Sequence, residues 1–187
     1  MKKILVVIDM QNDFITGSLG SPLTQAVVPN VVKKCQKYKD NGDMIFFTYD
    51  THYDNYFDTL EGKKLPIKHC AFGETGWQVI PELDKFISEG EYDPRIYKET
   101  FGDINIDSKI AVACQDIPFD ITEEDFEIEI IGVCTDICVV SNALILRASF
   151  PNTKITVDAS CCAGTSVEAH QTALTVMKSC QIDVIGE

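Results

Sequence analysis

Residues 3–9 read Lys-Ile-Leu-Val-Val-Ile-Asp, a run of apolar, mostly β-branched residues that ends at a charged Asp9. Such an apolar run with little polar alternation is typical of a strand buried on both faces in the centre of a parallel sheet. Two further strong strands are predicted over 44–49 and 126–133, and the first is again followed directly by an acid, Asp50. The carboxyl ends of these strands therefore carry polar residues.

Helical segments separate the strands. Helices are predicted over 24–41, 77–89, 136–150 and 165–179, and shorter strands over 95–98, 154–157 and 181–185. Thr24 is the expected N-cap of the first helix, and Thr165 with Glu168 fits a capping box at the start of the last. Residues 103–125 fit neither pattern. The alternation predicts one α/β domain over 1–187, doubly wound, with a mostly parallel sheet and helices on both faces.

The charge balance restricts the partners. The chain has 16 Lys and Arg against 29 Asp and Glu, a net charge of −13 in 187 residues. This charge repels phosphate backbones and anionic lipid, so we expect neither nucleic-acid nor membrane binding. No apolar run reaches the roughly 18 residues of a membrane span, and the first residues do not form a secretion signal. We expect a cytoplasmic protein with a small-molecule partner; a homo-oligomer is left open.

The eight cysteines do not indicate a disulfide framework or a structural zinc site. The chain is long enough to fold without disulfides, and no two cysteines have the Cys-x-x-Cys spacing. We expect most of them to be small buried residues in a reducing compartment, with one reactive thiol among them as the exception.

The candidate nucleophile lies in residues 132–138, Gly-Val-Cys-Thr-Asp-Ile-Cys, where a strand gives way to a helix. A helix N-terminus lowers the pKa of a thiol, and its N–H groups can bind an oxyanion. Position alone favours Cys138 over Cys134, and both could simply be packed. Asp9, at the end of the first strand, is the candidate proton acceptor or a cap of its own turn. Lys98 is the candidate cation or an ordinary surface lysine.

A second polar group follows the strand that ends at Asp50. Asp50 and His52 stand one residue apart, and Glu61 and His69 follow within the same long polar segment, 51–76. Imidazole and carboxylate together suit a borderline divalent ion such as zinc, and also manganese or iron. The alternative is a polar loop whose carboxylates are only solvated.

Taken together, these segments resemble the isochorismatase-like cysteine hydrolases, and within them the nicotinamidases. The matching segments follow the order of the family over nearly the whole chain: 6–14 (Val-Val-Ile-Asp-Met-Gln-Asn-Asp-Phe), 47–52 (Phe-Thr-Tyr-Asp-Thr-His), 69–70 with Gly73, Gly76 and Trp77, Lys98 with 101–102, and 132–139. Each segment alone is modest evidence, whereas the ordered set is specific.

The resemblance implies roles for individual residues. Asp9, Lys98 and Cys138 would form a catalytic triad, and the N–H groups of Cys134 and Cys138 would form an oxyanion hole beside a cis peptide bond at Val133–Cys134. The resemblance further implies a metal site and part of an aromatic pocket. The metal ligands would be Asp50, His52 and His69, with Glu61 as a fourth, and the pocket residues would be Phe14 and Phe101.

The implied activity is metal-assisted hydrolysis of a small amide through a thioester, with nicotinamide as the first candidate and the metal holding its ring nitrogen. Pro66 stands where nicotinamidases tend to have an aromatic residue. An amidase acting on another small amide, or on a carbamoyl or ureido compound, is therefore the alternative. A catalytically silent ligand-binding relative is disfavoured by the presence of all three triad residues.

Overall fold

A computed structural model of the chain describes residues 2–87, 92–113 and 126–187. Within these ranges the strands are β1 (Lys2–Ile8), β2 (Met44–Asp50), β3 (Arg95–Lys98), β4 (Phe126–Val133), β5 (Lys154–Ala163) and β6 (Asp183–Ile185). They form one sheet in the order β3-β2-β1-β4-β5-β6, and every neighbouring pair is parallel. The predicted sheet is confirmed, with β5 longer and β6 shorter than expected.

Helices cover both faces of this sheet, as predicted. They are α1 (Asn12–Ile15), α2 (Pro22–Asn41), α3 (Leu60–Lys64), α4 (Ile106–Ala113), α5 (Val140–Ser149) and α6 (Val167–Ser179). Successive side chains of a strand point to opposite faces. In β1, Leu5 and Val7 pack in the cluster that contains residues of α2, while Val6 and Ile8 pack with residues of α4, α5 and α6. Their full burial explains the absence of alternation in this strand.

Two helix starts differ from the prediction. Helix α2 begins at Pro22, and its N-cap is Ser21, whose hydroxyl accepts a hydrogen bond from the Thr24 N–H at 3.1 Å. Thr24 is therefore the reciprocal partner of the cap, and the predicted N-cap is wrong. Proline suits the first helical position because its missing N–H would have no helical partner there. Helix α6 is capped by Ser166, one residue later than the predicted cap.

The predicted helix over 77–89 is wrong. Two short 3-10 segments, Thr75–Trp77 and Pro81–Phe86, stand there instead, and residues 88 and 89 lie outside the described ranges. Pro81 starts the second segment because it cannot donate the backbone hydrogen bond that a continuous helix requires. Of the ambiguous stretch 103–125, residues 106–113 form α4, and 114–125 lie outside the described residues.

The strand order directs attention to the carboxyl ends of β1 and β4. The chain winds away from β1 in both directions, so a crevice forms where those two neighbouring strands end. Ile8 is in register with Gly132, and Asp50 with Lys98. At Gly132 a Cβ atom would lie 2.1 Å from the carbonyl oxygen of Ile8, so glycine permits this close approach. The sheet thus brings Asp9, Asp50, Lys98 and the segment after β4 to one edge.

Two further expectations bear on the described residues. The seven cysteines within them are all free, as expected of a chain without a disulfide framework. No helix in the described ranges combines the length and apolar character needed to cross a membrane.

Candidate active site

Lys98 lies at the centre of a buried polar cluster. Its Nζ atom is 2.7 Å from Oδ2 of Asp9, 3.7 Å from Sγ of Cys138 and 3.3 Å from Oδ1 of Asp50. The four residues are at most 5% exposed. The structure therefore brings together the three residues singled out as a triad, and Lys98 is not a surface lysine. Of the two candidate thiols, Cys138 is the one that lies against it.

Asp9 is held by a residue that the sequence analysis missed. Thr48, in β2, accepts a hydrogen bond from the Asp9 N–H at 3.0 Å and donates its hydroxyl to Oδ1 of Asp9 at 2.6 Å. Asp9 also has a positive φ of 47°, a conformation that aspartate adopts more readily than most residues. These constraints leave Oδ2 of Asp9 facing Lys98. In the sequence, the sign of this contact is a threonine within a strand that is otherwise mostly apolar.

Burial and the neighbouring charges of opposite sign shift the pKa values of this cluster in opposite directions. Burial raises the pKa of Asp9, and the Lys98 ammonium lowers it only in part. Burial also raises the pKa of the Cys138 thiol well above its usual value; Lys98 opposes this change and the carboxylates reinforce it. Burial would lower the pKa of Lys98, but Asp9, Cys138 and Asp50 together raise it well above the usual value.

This balance corrects one expectation. The helix N-terminus was expected to lower the pKa of the cysteine, whereas burial beside Asp9 dominates at Cys138. Burial, with the nearby charges of Asp9 and Asp50, therefore favours the protonated thiol, and the Lys98 ammonium favours the thiolate. Chemically, the cluster offers a thiol, an adjacent carboxylate that can accept its proton, and a permanent positive charge beside both.

The turn that carries Cys138 has an unusual backbone. The peptide bond Val133–Cys134 is cis, as the family resemblance implied, and residues 135–139 form a π-helical turn that leads into α5. Asn142 donates its amide to the carbonyl oxygen of Cys138 at 2.7 Å and to that of Phe101 at 3.1 Å. The turn is therefore tied to the loop that carries Phe101.

Asp50, His52, Glu61 and His69 converge on one point. One donor atom from each lies within 4.8 Å of all the others. Nε2 of His52 is 2.9 Å from Oδ2 of Asp50 and 3.2 Å from Nε2 of His69. Oε1 of Glu61 is 3.7 Å and 3.9 Å from the same two nitrogens. We refer to these four residues as the donor cluster.

The donor cluster has the chemistry and spacing of a divalent metal site. Ligands about 2.1 Å from a tetrahedral zinc ion lie roughly 3.4 Å apart, close to the separations found here. Nδ1 of His69 lies 2.8 Å from the carbonyl oxygen of Ile67, which leaves Nε2 directed at the cluster. Burial and the Asp50 charge raise the pKa of Glu61, while Lys98 and the two histidines outweigh burial and lower that of Asp50.

Aromatic rings surround the donor cluster. Tyr56, which the sequence analysis missed, packs its ring 4.4 Å from that of His52 and 5.2 Å from that of His69, measured between centroids. Phe14 lies edge-on to His69 at 5.7 Å. Phe101 is half-exposed and lines a cavity of about 610 Å³ together with His52, Tyr56, Glu61 and Ile137. Both predicted pocket aromatics thus border the donor cluster or the cavity beside it.

The comparisons with known proteins agree with this architecture. The family model described as the isochorismatase domain matches residues 3–186. A curated relative from Bacillus subtilis (strain 168), named as the uncharacterized isochorismatase family protein PncA, is 28% identical over 186 residues, covering 94% of this chain and 93% of the relative.

Solved structures of similar proteins have the same fold over nearly the whole chain. The pyrazinamidase/nicotinamidase of Streptococcus mutans UA159 superimposes with a TM-score of 0.80 at 28% identity, covering 98% of this chain and all of that one. The pyrazinamidase of Pyrococcus horikoshii, described in complex with zinc, has a TM-score of 0.78 at 22% identity, and each chain is covered completely. At that lower identity the likeness shows the shared fold.

Proposed function

Because the chain belongs to the isochorismatase family, we propose that it is a metal-assisted cysteine amidohydrolase that releases ammonia from a small amide. Nicotinamide is the proposed substrate, and the reaction proceeds through a thioester on Cys138. One observation carries the proposal: Lys98 lies within 2.7 Å of Asp9 and 3.7 Å of Cys138, with all three buried, while Asp50 links this group to the donor cluster.

Asp9 acts as the general base in the first half of the reaction. It takes the proton of the Cys138 thiol, and the sulfur attacks the carbonyl carbon of the amide. The Lys98 ammonium stabilises the negative charge that moves between carboxylate and sulfur. The backbone N–H groups of Cys134 and Cys138 donate to the oxyanion of the tetrahedral intermediate. Because burial raises the pKa of the Cys138 thiol, its activation depends on a nearby base, and Asp9 is the proposed base.

Asp9 then acts as a general acid. Protonated Asp9 gives its proton to the leaving nitrogen, the carbon–nitrogen bond breaks, and ammonia departs from a thioester on Cys138. In the second half Asp9 removes a proton from water, whose oxygen attacks the thioester carbon. The carbon–sulfur bond breaks, Cys138 regains its proton from Asp9, and the carboxylic acid product leaves and loses its own proton to water.

The donor cluster and the aromatic rings orient the substrate. Asp50, His52, Glu61 and His69 would hold a divalent ion, with zinc as the proposed one, and that ion would supply Lewis acidity toward a pyridine nitrogen. Phe14 and Phe101 provide apolar surface for a flat ring. Nicotinamide is favoured because the Streptococcus mutans structure, at 28% identity, is described as a pyrazinamidase/nicotinamidase.

Ammonia release tests this function directly. The purified protein is assayed with nicotinamide, pyrazinamide and a carbamoyl compound before chelation, after chelation, and after zinc is returned. We expect release from nicotinamide, its loss on chelation and its recovery with zinc. Ammonia release from the carbamoyl compound alone would show that the substrate is a carbamoyl compound rather than nicotinamide. Release from none of the three compounds would contradict the proposal.

A further inference from the structure

We propose that Gln11 and Asp13 are positioning residues that hold the backbone of the donor cluster in place. Their side chains contact the main chain beside Asp50 and His69 rather than the donor atoms themselves. The inference rests on the proposed metal site.

The Gln11 side chain forms hydrogen bonds with the main chain of Asp50. Its side chain is fully buried. The amide Nε2 donates to the carbonyl oxygen of Asp50 at 2.8 Å and to that of Trp77 at 2.7 Å, and Oε1 accepts from the Asp50 N–H at 2.8 Å. The peptide groups before and after the Asp50 Cα atom are therefore both fixed. This arrangement sets the direction of a side chain that faces Lys98 with one oxygen and the histidines with the other.

An amide is the side chain that can make all three bonds. Glutamine supplies two N–H donors and one carbonyl acceptor, and the two carbonyl oxygens and one N–H that surround it require that set. Buried polar groups left without a partner cost about 1–3 kcal/mol each. A change at Gln11 therefore forces the backbone of Asp50 either to lose hydrogen bonds or to move.

Asp13 holds the other half of the donor cluster. Its Oδ2 atom accepts a hydrogen bond at 2.8 Å from the Cys70 N–H, which belongs to the peptide group that joins His69 to Cys70. Cys70 has a positive φ of 44°, so this peptide is held in a conformation that cysteine seldom adopts alone. A Cβ atom at Gly76 would lie 2.1 Å from Oδ2 of Asp13, so the absence of a side chain there makes room for the contact.

Both positioning residues follow Asp9 closely in the chain. The turn that carries the proposed general base therefore also supports Asp50, 39 residues after Gln11, and His69, 56 residues after Asp13. Residues that orient metal ligands typically contribute 10- to 100-fold to metal affinity. We expect the effect at Gln11 and Asp13 to appear first in zinc affinity.

Gln11→Glu is the sharpest test. The variant keeps an acceptor for the Asp50 N–H but places an oxygen against two carbonyl oxygens. The matched control is Asn12→Asp, because Asn12 donates its amide to the carbonyl oxygen of Thr75 at 2.9 Å, in the same region but away from the donor cluster. Zinc dissociation constants are measured by competition with a chromophoric chelator. We expect at least a tenfold increase for Gln11→Glu and less than threefold for the control.

The outcomes separate the inference from the proposed function. Folded Gln11→Glu protein, checked by circular dichroism, that binds zinc within threefold of wild type would overturn the inference, even if its melting temperature fell. If that variant does not fold, Asp13→Ala decides by the same thresholds, since Asp13 lies nearer the surface. A wild-type protein that does not bind zinc would overturn the metal site and the inference together. Loss of amidase activity alone bears only on the function.

Discussion

The Lys98 ammonium lies 3.3 Å from Oδ1 of Asp50, while Oδ2 of the same carboxylate lies 2.9 Å from Nε2 of His52. One buried carboxylate therefore borders both the proposed triad and the donor cluster. Lys98 also contacts Asp9, so its positive charge is placed between two negative charges that would otherwise repel each other in a low-dielectric interior.

Removing this charge is expected to destabilise the fold as well as abolish activity. In Lys98→Met two buried carboxylates lose their cationic partner, a change that typically costs about 3–5 kcal/mol. The control is Lys154→Met, because Lys154 is mostly exposed and 3.8 Å from Glu127, and a change there is expected to cost less than about 0.5 kcal/mol. Urea unfolding at pH 7 measures both. Equal free energies of unfolding for the two variants would contradict this account of Lys98.

Glu61→Gln tests whether Glu61 is a metal ligand. The change removes the charge but preserves the shape, and we expect zinc affinity to fall by about tenfold or more because a neutral amide is a poorer ligand. Glu99→Gln is the matched control, since Glu99 lines the same cavity as Glu61 but is not part of the donor cluster. Chelator competition gives both constants, and an unchanged affinity in Glu61→Gln would remove Glu61 from the ligand set.

The sequence predicts best those parts of the fold whose structure is decided by the burial of apolar side chains alone. Residues 4–8 of β1 are buried on both faces, so the apolar run is enough to predict a central strand. The helix predicted over 77–89 fails although its spacing of apolar residues looks helical. Pro81 divides the segment, and the part that follows, Pro81–Phe86, buries Leu83 and Phe86 as a 3-10 segment.

At the site, residues proposed to react or to bind a metal are easier to predict than the residues that hold them in position. The triad at positions 9, 98 and 138 was implied by the family resemblance of the ordered motifs, whereas the residue types alone left both the nucleophile and the role of Lys98 open. Thr48 and Gln11 were missed because each acts on a partner 39 residues away, Asp9 and Asp50 respectively, and no local pattern records such a pairing. Tyr56 was missed because its packing against His52 and His69 depends on how a long loop folds.

A charged network away from the site leads to a pH prediction. Asp158 accepts hydrogen bonds from the Ser160 hydroxyl at 2.6 Å and from Lys34, whose Nζ lies 2.8 Å away. Burial alone would raise the pKa of Asp158, but these partners hold it below the ordinary 3.8. Its contribution to stability is therefore complete above about pH 5 and is lost as the pH falls below 3.8 towards the lower pKa of the folded state.

Urea unfolding of wild type and Asp158→Asn at several pH values measures this contribution. We expect the difference in free energy of unfolding to be largest near neutral pH and to shrink as the pH falls below 4, because protonated Asp158 no longer carries the charge that Lys34 binds. A difference that stays constant from pH 7 to pH 3.5 would show that the Asp158 charge does not stabilise the fold.

Phe101→Ala is expected to weaken substrate binding with little effect on the fold. The ring is 46% exposed and lines the cavity beside His52 and Glu61. We expect KM for nicotinamide to rise about tenfold, equivalent to roughly 1.4 kcal/mol, with a smaller change in kcat. Ile104→Ala, at a residue that is 79% exposed and outside that cavity, serves as the control. Unchanged KM in Phe101→Ala would exclude a contact between this ring and the substrate.

The thioester on Cys138 is the central claim, and rapid-quench mass spectrometry of the protein mixed with nicotinamide tests it most directly. Cys138→Ala is the test variant, and Cys180→Ala, at the end of α6, is the control. We predict that wild type and Cys180→Ala carry a transient nicotinoyl group on Cys138, while Cys138→Ala carries none and loses about 10⁴-fold or more in ammonia release. Ammonia release at the wild-type rate by folded Cys138→Ala would contradict the account.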